Sequence, residues 1–480
     1  MAQKYELVVG LEVHARIKTK SKLWCNCDAY WFWVEPNKNT CEVCMWFPWA
    51  LPVLNEEAVN LALKTWKALN CNIPNFSKFD RKSYFYPDLP TWFQTTQFDE
   101  PVCNKWFLET YVEDKEWNKE KKRFWIERIH IENDAWKLSH TSTWTEVDLN
   151  RAWCPLMEIV TEPDFRSIPD VISFLREMQK VLRAAWSSDA DMEKWQLRCD
   201  VNISLRPFWQ KEFWIRAELK NMNSFSEIEK ALRFEYRRQA MLLDSWEEVI
   251  QETRWWDSVK WESSGQRNKW WAADYRYFPE PDLPTVLLSD EKINSVKKCE
   301  LPVEKYERFQ EEFWIKEVDA FNLAWDVELS EFFEETVKIS WDAKKSASWI
   351  LSEFIKFLKE DLIKISESKV KPEHIWNLIK FINDWEISWK IAKQVFEEIY
   401  KTWKSPEEII EEKWLKQNSN EDELKEICQK ILDDNPDLVE KYHWWKDNLF
   451  WSFVGQTMKA TKWQANPGIV NKILKELLGK

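Results

Sequence analysis

The sequence predicts an α+β protein, with a sheet-rich N-terminal part followed by helices. Three observations predict it. Four segments before residue 222 alternate apolar and polar residues at strand period, and beyond about Leu301 amphipathic helical patterns take over. The strand segments also share an uncommon polar face, rich in Glu, His, Asp, Arg and Lys and poor in the Thr and Ser of an ordinary wet face. At 480 residues the chain exceeds one typical core, so two to four domains are expected.

The net charge of −13 argues against general polyanion binding while leaving room for a local basic patch. Met1–Glu6 has no apolar leader, and no uninterrupted apolar run reaches about 18 residues, so a cytoplasmic chain without a membrane span is expected. Ten cysteines in such a chain point to reduced thiols or a metal site rather than disulfides. There are 36 Trp and 5 Gly, although Gly is normally about 7% of residues. Trp even occupies turn-like stretches such as Met45–Trp49 and Arg254–Asp257.

In order along the chain, Tyr5–Ile17 reads as a strand with Leu7, Val9, Leu11 and Val13 on one face and Val8, Gly10, Glu12 and His14 on the other. Adjacent carboxylate and imidazole groups suit metal binding or proton movement, and a solvent-facing edge accounts for these two alone equally well. Cys25 and Cys27 form a C-x-C knuckle and Cys41 and Cys44 a C-x-x-C knuckle, the spacing of a structural four-thiolate zinc site with no open position for chemistry. Asn55 caps a predicted helix to Leu69, with Glu56 and Glu57 at its positive end. Ser77–Pro90 and Asp274–Pro284 mix basic, aromatic and Pro residues; base and phosphate contacts or plain turn packing explain them.

Three further strands repeat the first. Arg128, His130 and Glu132 oppose Ile129 and Ile131. Arg198, Asp200, Asn202 and Ser204 oppose Leu197, Cys199, Val201, Ile203 and Leu205, and Arg216, Glu218 and Lys220 share a third polar face. Side by side, these faces make a floor of carboxylates and imidazoles ringed by cations, able to hold a divalent ion and the phosphates it bridges. Helices are predicted from Ser167 to Trp186, after the capping box Ser224–Glu227, and over Glu353–Ile365, Lys371–Ile382 and Ile387–Thr402. From Trp451 to Lys480 five Lys stand against one Glu, a candidate RNA-backbone contact or a solvated helix end.

Several stretches carry a family likeness: Val9–His14, Phe76–Lys82, Tyr86–Pro90, Asp148–Arg151, Glu158–Asp164, Leu197–Asp200, Glu218–Asn221, Asp274–Pro279 and Val454–Lys462. In these, from about residue 5 to the C-terminus, the chain closely resembles the B-subunit family of the glutamyl/aspartyl-tRNA amidotransferases. The resemblance implies a cradle domain with an antiparallel sheet over 1–295, an all-α helical domain over 296–404, and a small helical, tRNA-binding tail over 405–480. It implies ATP-dependent phosphorylation of the side-chain carboxylate of misacylated Glu-tRNA(Gln) or Asp-tRNA(Asn), then amidation by ammonia from a glutaminase A subunit, in a heterotrimer with a small C subunit. It implies Glu12, His14, Glu132 and Glu218 as Mg²⁺ ligands, and Glu12, His14, Asp200, Glu218 and Lys220 as the catalytic set. Arg81, Arg198 and Asn202 are implied as ATP contacts, and structural Zn²⁺ completes the cofactors.

The chain departs from the resembled pattern in one respect. Trp stands where that pattern has Gly at positions 46, 49, 92, 125, 136, 153, 195, 209, 214 and 463. An RNA-binding zinc protein without chemistry, and a stand-alone carboxylate–amine ligase, are the competing readings. The paired polar strand faces speak against the first. The lack of a Ser-Ser-Lys or Cys-His amidase constellation favours ammonia supplied by a partner.

Overall fold

A computed structural model describes residues 4–83, 91–113, 118–268, 275–384, 386–413, 415, 421–443, 450–461, 465 and 467–479. It divides into two compact units, Met1–Lys305 and Tyr306–Lys480.

The first unit is built on an eight-stranded sheet. Its order is Glu262–Asn268, Glu252–Asp257, Ala217–Lys220, Leu197–Pro207, Tyr5–Arg16, Pro155–Thr161, Lys119–Asn133 and Cys103–Glu113. The opening strand is therefore near the middle, between Leu197–Pro207 and Pro155–Thr161. Alternation places Leu7, Val9, Leu11 and Val13 with Val201, Ile203, Met157 and Ile159 in one buried core, all at 1% exposure or less except Leu7. Helices Glu56–Ala68, Ile168–Ala184 and Phe225–Asp244 supply that core's other wall. Their starts are those the sequence signals. Asn55 accepts from the Glu57 and Ala58 amides, Ser167 from Asp170, and Ser224 from Glu227, filling donors the first helical turn leaves unpaired.

The sheet is antiparallel at each ladder except one. Ala217–Lys220 and Glu252–Asp257 run parallel because helix Phe225–Asp244 carries the chain back across the core between them. A three-stranded sheet of Phe278–Pro279, Asp80–Ser83 and Phe93–Thr96 brings the two Tyr- and Pro-rich stretches together, with Phe278 opposite Arg81. It docks at the Asn133 end of the large sheet, where Gln94 donates to the Asn133 carbonyl at 2.7 Å and the Thr95 amide to Asn133 Oδ1 at 2.8 Å. Tyr86–Pro90 and Asp274 lie outside the described residues.

The second unit is helical. Val327–Ser340, Ala343–Trp349, Pro372–Asn383 and Trp389–Thr402 bury Phe333, Trp349, Ile375, Ile379 and Phe396. Glu421–Asp433, Phe450–Ala460 and Pro467–Leu477 close around Leu424, Cys428, Phe453, Val470 and Leu474. No helix among the described residues is long and apolar enough to cross a membrane.

Trp occupies most of the left-handed backbone positions among the described non-Gly residues. Of 19 described non-Gly residues with positive φ, 12 are Trp. Trp46, Trp49, Trp92, Trp153 and Trp195 are among them, with φ between 57° and 70°. Trp125, Trp136, Trp209 and Trp214 are not, and Trp463 lies outside the described residues.

Candidate active site

The polar face of the large sheet is one surface because its register aligns the charged positions. His14 lies opposite Arg198 on one side and Glu158 on the other, and Glu158 lies opposite His130. One row away Glu12 faces Asp200, and a further row on Asn202, opposite Gly10, faces Glu218. Directly opposed residues share a face at about 5 Å, so the rows become two clusters of metal-competent donors.

The first cluster is His14, Glu132 and Glu158, and the second is Glu12, Asp200 and Glu218; within each, one donor atom per residue lies within 4.8 Å of the others. In the first, His14 Nδ1 is 3.3 Å from Glu132 Oε1, and His130 Nε2 is 3.1 Å from Glu158 Oε2. Burial pulls the His14 imidazole pKa down, but the bond to Glu132 and the charge of Glu158 outweigh burial and the repulsion of Arg198, pushing it up to about 9. Burial likewise works against the Glu158 carboxylate, yet His130, His14 and Lys82 hold it well below the usual range. Glu132 Oε2 is buried and has no hydrogen-bond partner among the described residues, His130 Nε2 coming only to 4.0 Å. An unpaired buried carboxylate oxygen is costly, and beside a second carboxylate and an imidazole it fits a divalent cation.

In the second cluster Asn202 Nδ2 donates to Glu12 Oε1 at 3.0 Å, and Thr253 Oγ1 donates to Glu218 Oε2 at 2.8 Å. Lys220 is bonded to Asp200 and lies 3.2 Å from Glu218, and those carboxylates raise its pKa against the opposing effect of burial. Oxygen-only donors of this kind suit Mg²⁺.

The structure thus divides the four residues implied as one Mg²⁺ set: His14 and Glu132 belong to one cluster, Glu12 and Glu218 to the other. Asp200 joins the second as a third carboxylate. Arg198 is drawn aside to Asp134 at 2.8 Å, where it and Arg151 overcome burial and keep that carboxyl low. Arg81 is tied on the small sheet by two 2.7 Å bonds to Glu280 and one of 3.1 Å to Asp282, its guanidinium 4.3 Å from the Phe93 ring centre. Glu158 carries no ligand assignment in the sequence reading. Its signal is nonetheless there: a lone carboxylate in the otherwise apolar run Pro155–Thr161, where burial demands a charged partner.

The four knuckle cysteines meet as their spacing predicts. Their sulfurs lie within 4.8 Å of one another, with Cys41–Cys44 at 3.8 Å and Cys27–Cys44 at 3.9 Å. A tetrahedron with bonds of about 2.3 Å has edges of about 3.8 Å, so the set is compatible with structural zinc. The hydrogen bond from Cys25, the charge of Lys22 and bonds from Cys41 pull the Cys44 thiol down to about 5 against burial. Lys22 itself is fully buried, donating to the Asn39 and Leu149 carbonyls at 2.7 and 3.1 Å. A buried ammonium whose hydrogen bonds among the described residues go to carbonyls, and whose charge acts on Cys44, suits the net negative charge of a zinc–tetrathiolate. Cys44→Ser is expected to lose bound zinc, read by metal analysis of the purified chain. The accompanying loss of stability should be of the order of a lost cross-link, about 2–4 kcal/mol, read from the melting temperature.

Two carboxylate clusters on one sheet face, each beside a cation or imidazole, are a candidate reaction floor. Comparison with known proteins gives the family. The GatB/GatE catalytic domain family matches residues 7–294 and the GatB domain family residues 331–478. The chain is 46% identical over 478 residues to the aspartyl/glutamyl-tRNA(Asn/Gln) amidotransferase B chain of Persephonella marina, covering 99% of this chain and 100% of that one. It is 45% identical over 479 residues to a relative of the same name from Clostridium acetobutylicum, and 43% identical over 478 residues to one from Thermodesulfovibrio yellowstonii. In both, 99% of this chain is covered, with 100% and 99% of those chains. The chain belongs to the GatB family of tRNA-dependent amidotransferases.

Proposed function

We propose that this chain is the kinase and transamidase component of a heterotrimeric amidotransferase that converts Glu-tRNA(Gln), Asp-tRNA(Asn) or both to the amidated forms in the cytoplasm. The carrying observation is the buried Glu132 Oε2, without a hydrogen bond among the described residues and only within 4.0 Å of His130 Nε2, beside His14 and Glu158, a donor set that suits a cation. A side-chain carboxylate is a poor electrophile. Its oxygen attacks the γ-phosphorus of ATP, the bond to ADP breaks, and the acyl phosphate then yields to ammonia with loss of phosphate. The first step brings two anions together, so it needs fixed positive charge. Mg²⁺ held by His14, Glu132 and Glu158, and by Glu12, Asp200 and Glu218, would supply charge neutralisation there.

The chain's own residues set this up. Asn202 and Thr253 fix the rotamers of Glu12 and Glu218, His130 fixes Glu158, and Lys220 holds a proton between Asp200 and Glu218. The glutaminase A subunit supplies ammonia and the small C subunit joins the two. Domain limits of 1–295, 296–404 and 405–480 go with this reading, the Lys-bearing tail contacting tRNA phosphates. The test is acyl-phosphate trapping with ATP and Glu-tRNA(Gln), with and without the partner chains. Trapped acyl phosphate supports the reading, and its absence from the complete heterotrimer overturns it.

A pH dependence follows from His14. Its imidazole stays protonated below about 9, and a metal must displace that proton. Mn²⁺ affinity should therefore rise between pH 7 and 9, by about tenfold per unit for one proton released, and level off above. Titration calorimetry in buffers of different ionisation enthalpy reads both affinity and proton release; a flat profile contradicts the ligand role of His14.

A further inference from the structure

The cations of the floor differ in what holds them. Arg198 is bonded to Asp134, Lys220 to Asp200 and Glu218, and Arg81 to Glu280. Arg128 is placed differently. The ladder between Lys119–Asn133 and Pro155–Thr161 contains a bulge: Ile126 pairs with Thr161 and Arg128 with the next residue, Val160, leaving Glu127 extra. Strict alternation back from Ile131 and Ile129 would bring Ile126 onto the polar face. The bulge instead keeps Ile126 in the core at 1% exposure. Arg128, the first residue after the bulge, keeps the polar-face position that alternation with His130 and Glu132 gives it, in the same cross-strand row as Glu12 and Asp200.

The electrostatics of Arg128 are incomplete. Its Nη1 reaches the carboxylate of the adjacent Glu127 at 3.0 Å, but Glu127 is 47% exposed, and such a pair is weak. Its Nε is buried and makes no hydrogen bond, a standing cost that an arriving acceptor removes. Burial raises the Tyr277 phenol pKa, and the charges of Glu158 and Arg128 act on it in opposite directions, Glu158 raising and Arg128 lowering it.

We infer that Arg128 is the anion-receiving residue of this floor, its guanidinium fork taking two oxygens of an ATP phosphate or of the carboxylate to be phosphorylated. Both anions offer the oxygen pair that a guanidinium binds bidentately and an ammonium does not. The inference rests on the reading that phosphoryl transfer to a carboxylate takes place here.

The test uses the heterotrimer carrying Arg128→Met or Arg128→Lys, with the unmodified heterotrimer alongside. An unmodified complex that cleaves no ATP overturns the functional reading itself. If it turns over, Arg128→Met should lower kcat/KM by about 100-fold or more, Arg128→Lys by less, and free guanidinium should restore part of the lost rate. ATP titration without tRNA separates the two anions. Weakened binding assigns the phosphate; unchanged binding with a raised KM for aminoacyl-tRNA or a lowered kcat assigns the carboxylate. Variants within about threefold of the unmodified complex in every parameter overturn the inference, as does a loss that follows a lowered melting temperature and ignores guanidinium. Should Arg128→Met fail to fold, Arg128→Lys decides alone, because the fork is what the inference requires.

Discussion

Replacing Glu158 with Gln should lower ATP-dependent acyl-phosphate formation by about 100- to 1,000-fold, the usual effect of removing one preorganised charge from a reaction site. The change is close to isosteric, and the amide oxygen can still accept from His130 Nε2, now 3.1 Å from the carboxylate. The core around Met157 and Ile159 is untouched, so the melting curve should stay native-like. What disappears is one of two buried carboxylates in the His14 cluster, and with it most of the affinity for a divalent ion. Mn²⁺ titration of the variant should show that loss directly. Glu162→Gln, at an exposed position whose main-chain amide bonds to the Trp125 carbonyl at 2.9 Å, is the matched control. A Glu158→Gln enzyme that keeps both metal affinity and turnover would falsify the first cluster as the reaction site.

The second large effect concerns stability, and its sign depends on burial. Trp246, Trp314, Trp341 and Trp403 each follow a helix and hold φ of 61°, 53°, 55° and 59°. Trp341 and Trp403 are left-handed caps whose amides bond back to Val337 and Ile399. A side chain there costs about 1–2 kcal/mol for its Cβ, and Gly returns about 0.5–1 kcal/mol of that through its looser unfolded chain. Trp246, Trp314 and Trp341 are 95%, 77% and 91% exposed, so little packing is lost with the indole. The triple Gly replacement of Trp246, Trp314 and Trp341 should therefore gain about 1.5–3 kcal/mol, seen as a higher denaturation midpoint. At Trp403, half-buried with Lys369 Nζ 3.5 Å from its ring centre, the lost contact offsets the gain.

Trp153 behaves oppositely. It also has positive φ, 66°, but is 4% exposed and packs edge-on to Trp46 at 5.4 Å. Trp153→Gly gains the same net backbone relief of about 0.5–1 kcal/mol and loses a buried aromatic worth about 3–5 kcal/mol, so it should destabilise by about 2–4 kcal/mol. Equal effects at Trp153 and Trp341 would contradict this division.

The residues themselves determined the local elements and the chemistry on offer. Period-two alternation set the strands and their charged faces. Asn55, Ser167 and Ser224 marked helix starts, since an unpaired first-turn amide needs a nearby oxygen. C-x-x-C spacing put the Cys41 and Cys44 sulfurs 3.8 Å apart, because only two residues separate them, whereas the 3.9 Å approach of Cys27 to Cys44 joins the two knuckles. Such signals act over short stretches, so the sequence carries them whole.

What the tertiary structure decided was which strand lies beside which, and in what register. Alternation shows that Glu12 and His14 share a face, but not that Asp200 lies across from one and Glu158 from the other. Register therefore separated the expected single donor set into two clusters and brought Glu158 into the first. It also turned Arg198 towards Asp134 and Arg81 towards Glu280. A bulge one residue long kept Ile126 in the core, and register put Arg128 in the row of Glu12 and Asp200. Cross-strand pairing joins residues more than a hundred positions apart, and only packing of the whole core against its helices selects among registers that are locally alike.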